Sequence, residues 1–156
     1  MNLLNYTKCV ASILLLLSLC ACNQLGIKKN DEDEVKPDLR ELQASAEEAY
    51  LKDDLQTSER AYLTLVQELP GIPVHWFRLA NIYVRTNRPV AAIDLYREAV
   101  LRDPKFAKAW FNLSIVQLKQ SAYTLSEMLI YVDKNEPLYP EAKELLNGIQ
   151  AIIQKN

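Results

Sequence analysis

The chain has little glycine, one histidine and no cysteine beyond position 22. Its three glycines, Gly26, Gly71 and Gly148, stand alone, which excludes a glycine-rich loop that cradles phosphate. The cysteines, Cys9, Cys20 and Cys22, all lie in the first 22 of 156 residues. The rest of the chain therefore has no disulfide and no thiol nucleophile. With His75 as the one histidine, no cluster of ordinary metal ligands and no Cys–His or Ser–His pair of the usual kind can be assembled. His75 reads as a helix-surface residue, so we expect neither enzyme activity nor a cofactor. An excess of one charge is absent too. The 18 basic and 20 acidic residues give a net charge of −2, without the clustered basic surplus that nucleic-acid binding requires.

What is present is apolar and helix-forming. Hydrophobic residues make up 49% of the chain, enough for one core, and the scarcity of glycine beside much Leu, Ala, Glu and Lys predicts an all-α protein.

The first segment has the parts of an export signal. Lys8 is its one charge, and Val10 to Leu19 is an apolar run too short for a bilayer, which takes roughly 20 residues. The run ends in Leu19-Cys20-Ala21-Cys22. This tetrapeptide resembles the lipobox of bacterial lipoproteins, with small Ala21 before the cysteine that would be acylated, Cys22. The resemblance implies a signal peptide over 1–21 and N-terminal acyl chains that hold the protein to a membrane. An ordinary secretory signal or an uncleaved anchor is the alternative. Asn23 differs from the Asp that marks inner-membrane retention in such lipoproteins, so outer-membrane sorting with a periplasm-facing domain is expected. Residues 22–37 are polar and carry Asp31-Glu32-Asp33-Glu34; they read as a flexible tether, the acidic run alternatively as a docking peptide.

Beyond the tether the sequence repeats itself. Trp76 and Trp110 stand 34 residues apart. The central unit reads Trp76-x2-Leu79-Ala80-x2-Tyr83, Ala92-x3-Tyr96-x2-Ala99, Pro104. It resembles the tetratricopeptide repeat, a helix–turn–helix unit of about 34 residues. In the same register stand Leu42, Ala46, Ser58, Tyr62, Leu65 and Pro70 upstream. Downstream stand Trp110, Leu113, Ser114, Tyr123, Ser126 and Ile130, with Asp133 where a small residue is usual. The resemblance implies an α–α solenoid of about three helix pairs, over about 38–72, 73–106 and 107–139. A capping helix over 140–156 follows, weakened by about 1 kcal/mol at Gly148 relative to alanine.

In this family the first helix of each repeat lines a concave surface that binds protein segments. The resemblance puts Phe77, Asn81, Val84 and Arg85 there from the second repeat, and Lys108, Phe111, Ile115, Leu118 and Lys119 from the third. Both helices are apolar nearly all round, which calls for a second covered surface. We expect a groove with an apolar floor and a cationic rim, suited to an amphipathic or extended segment with apolar anchors and acidic character. Internal packing of Phe77 on Phe111, or filling of the groove by the capping helix, are the alternatives. The positions at which some family members clamp a terminal carboxylate hold Gln43, Glu47, Arg78, Lys108 and Asn112. Of these, Lys108 alone matches, which argues against that mode. Small lipoproteins of this build resemble those serving type IV or Tad pilus and secretin machines. A scaffold for peptidoglycan enzymes or outer-membrane assembly factors, or a self-associating structural subunit, are the other readings.

Overall fold

The computed structural model describes residues 38–155, and Cys22 with the tether lies outside them. Among the described residues there are six helices and no strand. They are α1 (Leu39–Leu51), α2 (Leu55–Glu68), α3 (Pro73–Arg85), α4 (Pro89–Arg102), α5 (Ala107–Tyr131) and α6 (Tyr139–Lys155). The all-α solenoid expected from the sequence is what the chain forms.

Local chemistry sets the ends of the first four helices. The Asp38 side chain accepts from the Arg40 amide at 2.8 Å, and Asp54 caps α2 through the Thr57 amide at 3.1 Å, each filling an orphan donor of a first turn. Pro73 and Pro89 occupy first helical positions, where no amide is needed. The tight turns within the two pairs place Asp53 at φ 63° and Asn87 at φ 57°. Asp and Asn are the non-glycine residues that tolerate this left-handed backbone best. They stand 34 residues apart and do the same work in successive repeats.

The first helix of a pair offers two packing faces, and α3 uses both. One receives the second helix of its own pair, through small residues that let backbones approach. Ala46 and Ala80 are both 0% exposed, and the Ser58 hydroxyl donates to the Ala46 carbonyl at 2.9 Å. The other face packs on the preceding pair. Leu79 and Ile82 share a cluster with Ala61, Tyr62 and Leu65 of α2, while Ala109, Leu113 and Val116 share one with Ala92, Tyr96 and Ala99 of α4. Arg88 adds a two-point ion pair to Glu59 (2.7 and 2.6 Å) and lies 3.8 Å above the Tyr83 ring.

The third unit departs from the expected pair. It carries Ser121 where Asp53 and Asn87 turn the chain, and no proline restarts a second helix. The Ser121 hydroxyl instead donates back to the Gln117 carbonyl at 3.0 Å, and α5 runs on for 25 residues, about 37 Å. α6 folds back antiparallel beside it, burying Ala142, Leu146 and Ile149.

His75 is also a correction: it is 1% exposed and buried rather than on the surface. It sits at the position that faces the preceding pair, as Ala109 does one repeat later. Burial keeps its pKa below the usual histidine range.

Candidate functional site

Concave-facing residues of α1, α3 and α5 enclose a cavity of about 410 Å³. Tyr50 comes from α1, Asn81, Val84 and Arg85 from α3, Phe111, Asn112, Ile115, Val116 and Lys119 from α5, and Tyr96 from α4. Ile153, near the end of α6, closes one side.

The floor, expected from the sequence to be apolar around Phe77, Phe111, Ile115 and Leu118, is instead polar and internally satisfied, because Phe77 is buried in the core and Leu118 turns away. The Tyr96 hydroxyl donates to the Asn81 side-chain oxygen at 2.6 Å, and the Asn112 amide donates to the same oxygen at 3.0 Å. Burial pushes the Tyr96 hydroxyl up to about 12, so it stays protonated. The walls are apolar: Val84, Ile115, Val116 and the ring of Phe111, which is 55% exposed. The rim is cationic. Arg85 pairs with Asp53 and lies 5.0 Å from the Tyr50 ring centre. Lys119 pairs with no described residue.

Six of the nine residues assigned to the groove from the sequence therefore line one cavity: Asn81, Val84, Arg85, Phe111, Ile115 and Lys119. Phe77 does not, and this corrects the reading of it as a groove anchor. It is 8% exposed, 4.9 Å from the Phe106 ring centre and 5.9 Å from that of Tyr96. Phe106 precedes α5 and swings a second aromatic ring over it, which makes Phe77 core. The alternative of Phe77 packing on Phe111 does not hold either, since its ring partners are Phe106 and Tyr96. Leu118 turns away as well, lining a separate hollow with Ile93, Leu145 and Ile149. Lys108 is exposed and lines neither.

The sequence did not assign five of the lining residues to the groove: Tyr50, Tyr96, Asn112, Val116 and Ile153. Tyr50 was within reach, because it occupies the register of Val84 one repeat earlier. Nothing in the pattern marked Ile153, whose place depends on how α6 folds back.

A second, polar hollow of about 400 Å³ lies between α1, α2 and α3. Glu47 accepts from the Tyr62 hydroxyl at 2.8 Å and pairs with Arg78. Gln43 lies 3.3 Å from His75 Nε2. With Asn112 held by Asn81, four of the five positions of a carboxylate clamp are thus engaged within the chain, and Lys108 alone stands free of these contacts.

The geometry is that of paired helices in a 34-residue register, and the tetratricopeptide repeat family model matches residues 44–105 and again 77–137. The chain belongs to the tetratricopeptide repeat family. No curated protein is similar enough to the chain to count as a relative. Members of this family are protein-interaction modules, and a protein-binding adaptor or scaffold role follows from the repeats. Among the described residues no group of three His, Cys, Asp or Glu side chains is placed to hold a metal, and no helix is long and apolar enough to cross a membrane.

Proposed function

We propose that this tetratricopeptide repeat chain is a lipid-anchored, periplasm-facing adaptor whose concave cavity takes an amphipathic segment of another protein. The observation that supports this is the cavity: apolar walls around Phe111 and Ile115, with Arg85 and Lys119 at the rim. An aliphatic side chain would enter against Phe111, while acidic groups on the same segment would meet Lys119. The chain itself favours a helical ligand, since Ile153 already presents an aliphatic side chain to this cavity from a helix.

Cys22 is the proposed acylation site, tethered to the repeats by residues 23–37. The machine served is proposed to be an envelope assembly of the type IV or Tad pilus or secretin kind, on the resemblance to small lipoproteins of this build. A photo-crosslinker at Phe111 in intact cells tests this directly. Capture of a secretin or pilus component, identified by mass spectrometry, supports it. Capture of a peptidoglycan enzyme or barrel-assembly protein overturns the pilus assignment and moves the adaptor to that machine. Cys22→Ser should release the protein from membranes; full membrane retention of that variant refutes the lipid anchor.

A further inference from the structure

One flank of α6 has the makings of an interface. The last helix of a solenoid turns a polar face outward, because nothing stacks on it, and α6 does so with Lys143, Asn147, Gln150 and Gln154, all exposed. About a quarter-turn round the helix from its buried stripe, however, Leu145 is 55% exposed and Ile152 50% exposed, with Gly148 between them on a shallow hollow of about 490 Å³. A glycine inside a helix costs about 1 kcal/mol relative to alanine. Here the missing side chain makes room for nothing in the chain: a Cβ at Gly148 would meet no atom within 4 Å. The helix backbone at Gly148 is therefore open to close approach from outside.

We propose that this face binds the same face of a second copy of the chain, as an antiparallel helix pair crossing at Gly148. The charges select this occupant. The stripe begins at Glu141 and ends at Lys155, both exposed and with no ion pair among the described residues. A twofold axis through Gly148 sets Glu141 of each copy opposite Lys155 of the other, and Leu145 beside Ile152 of the other. A twofold interface needs this kind of self-complementarity, and a parallel pairing would set like charges together. An anionic membrane surface would meet Glu141 and Glu144 and be repelled.

Within one helix Glu141 and Lys155 are 14 residues apart, about 21 Å, so they cannot pair with each other inside one chain. That makes a charge swap diagnostic. The full chain, its mass followed by multi-angle light scattering over a concentration series, should show a monomer–dimer equilibrium. Gly148→Leu, which displaces nothing in the monomer, should raise the dissociation constant at least tenfold with helix content unchanged by circular dichroism. Glu141→Lys and Lys155→Glu should each weaken the dimer, and the two together should restore it. A wild-type chain that stays monomeric throughout overturns the proposal. So does a Gly148→Leu or Glu141→Lys variant that associates like the wild type, or a double variant that fails to recover.

Discussion

The first two helix pairs and the α5 unit share a register yet use it differently. At the second-helix aromatic position, Tyr62 and Tyr96 are 2% and 1% exposed, while Ile130 is 70% exposed. At the small position of the first helix, Ala46 and Ala80 are fully buried, while Ser114 is exposed. The two tryptophans make the same local bond: Trp76 Nε1 donates to the Pro70 carbonyl at 2.9 Å and Trp110 Nε1 to that of Pro104 at 3.0 Å. Trp110 nevertheless remains 48% exposed, because no second helix returns over it. Identical register positions are thus core in one place and surface in another. The difference lies at the turn, where Ser121 and the absence of a restarting proline leave the helix unbroken, and an unbroken helix cannot fold its second half back on its first.

This comparison can be broken most sharply at the aromatic position. Tyr62→Ala and Tyr96→Ala should each destabilise the fold by about 3–5 kcal/mol, as truncation of buried aromatics does. Ile130→Ala should cost no more than about 0.5 kcal/mol, as exposed substitutions do. Urea unfolding of the three variants checks this, and a large loss at Ile130 would show that the third unit folds back after all.

The same contrast separates the two phenylalanines. Phe77→Ala should cost about 3–5 kcal/mol whether or not a partner is present. Phe111→Ala should leave stability within about 1 kcal/mol of wild type and weaken capture of the partner. Unfolding curves beside a binding assay read both effects.

A smaller effect is expected at the turns. Asn87→Ala keeps the left-handed backbone but removes the short polar side chain that makes it tolerable, and should cost about 1 kcal/mol. Ser121→Ala, inside the continuous helix, should be neutral or stabilising by up to about 0.5 kcal/mol.

The smallest effect is on pH dependence, and it belongs to one repeat only. Burial lowers the pKa of His75 in the folded chain, whereas an unfolded histidine titrates near about 6.5. Below that pH the unfolded state takes up a proton that the folded state refuses, so His75 lowers stability as pH falls from about 6.5 toward the carboxylate range. His75→Gln should remove this slope, and Ala109, its counterpart in α5, contributes none. Denaturation midpoints measured between neutral pH and the carboxylate range would show the difference.

Much of this was legible in the sequence. The 34-residue spacing of the tryptophans, with Tyr62 and Tyr96 in register, placed the helices and most of the concave surface. Phe77 was misread because its burial depends on Phe106, a loop residue outside the repeat pattern, whose ring covers it. His75, a lone polar residue in the apolar run 74–77, is buried because the face it occupies packs on Tyr62 of α2. The continuity of α5 was foreshadowed by Ser121 in the register of Asp53 and Asn87, a comparison that becomes evident once their left-handed backbones are seen. The seating of Ile153 belongs to tertiary structure alone.

The central claim is that partners engage the concave face formed by α1, α3 and α5. A photo-crosslinker scan along α5 in intact cells tests it most directly, with the probe at Phe111, Ile115 and Lys119 on the concave side and at Trp110, Ser114 and Gln117 on the opposite side. The account predicts one captured protein shared by the first three positions and none at the other three. Capture from Trp110, Ser114 and Gln117, with silence at Phe111 and Ile115, would contradict it.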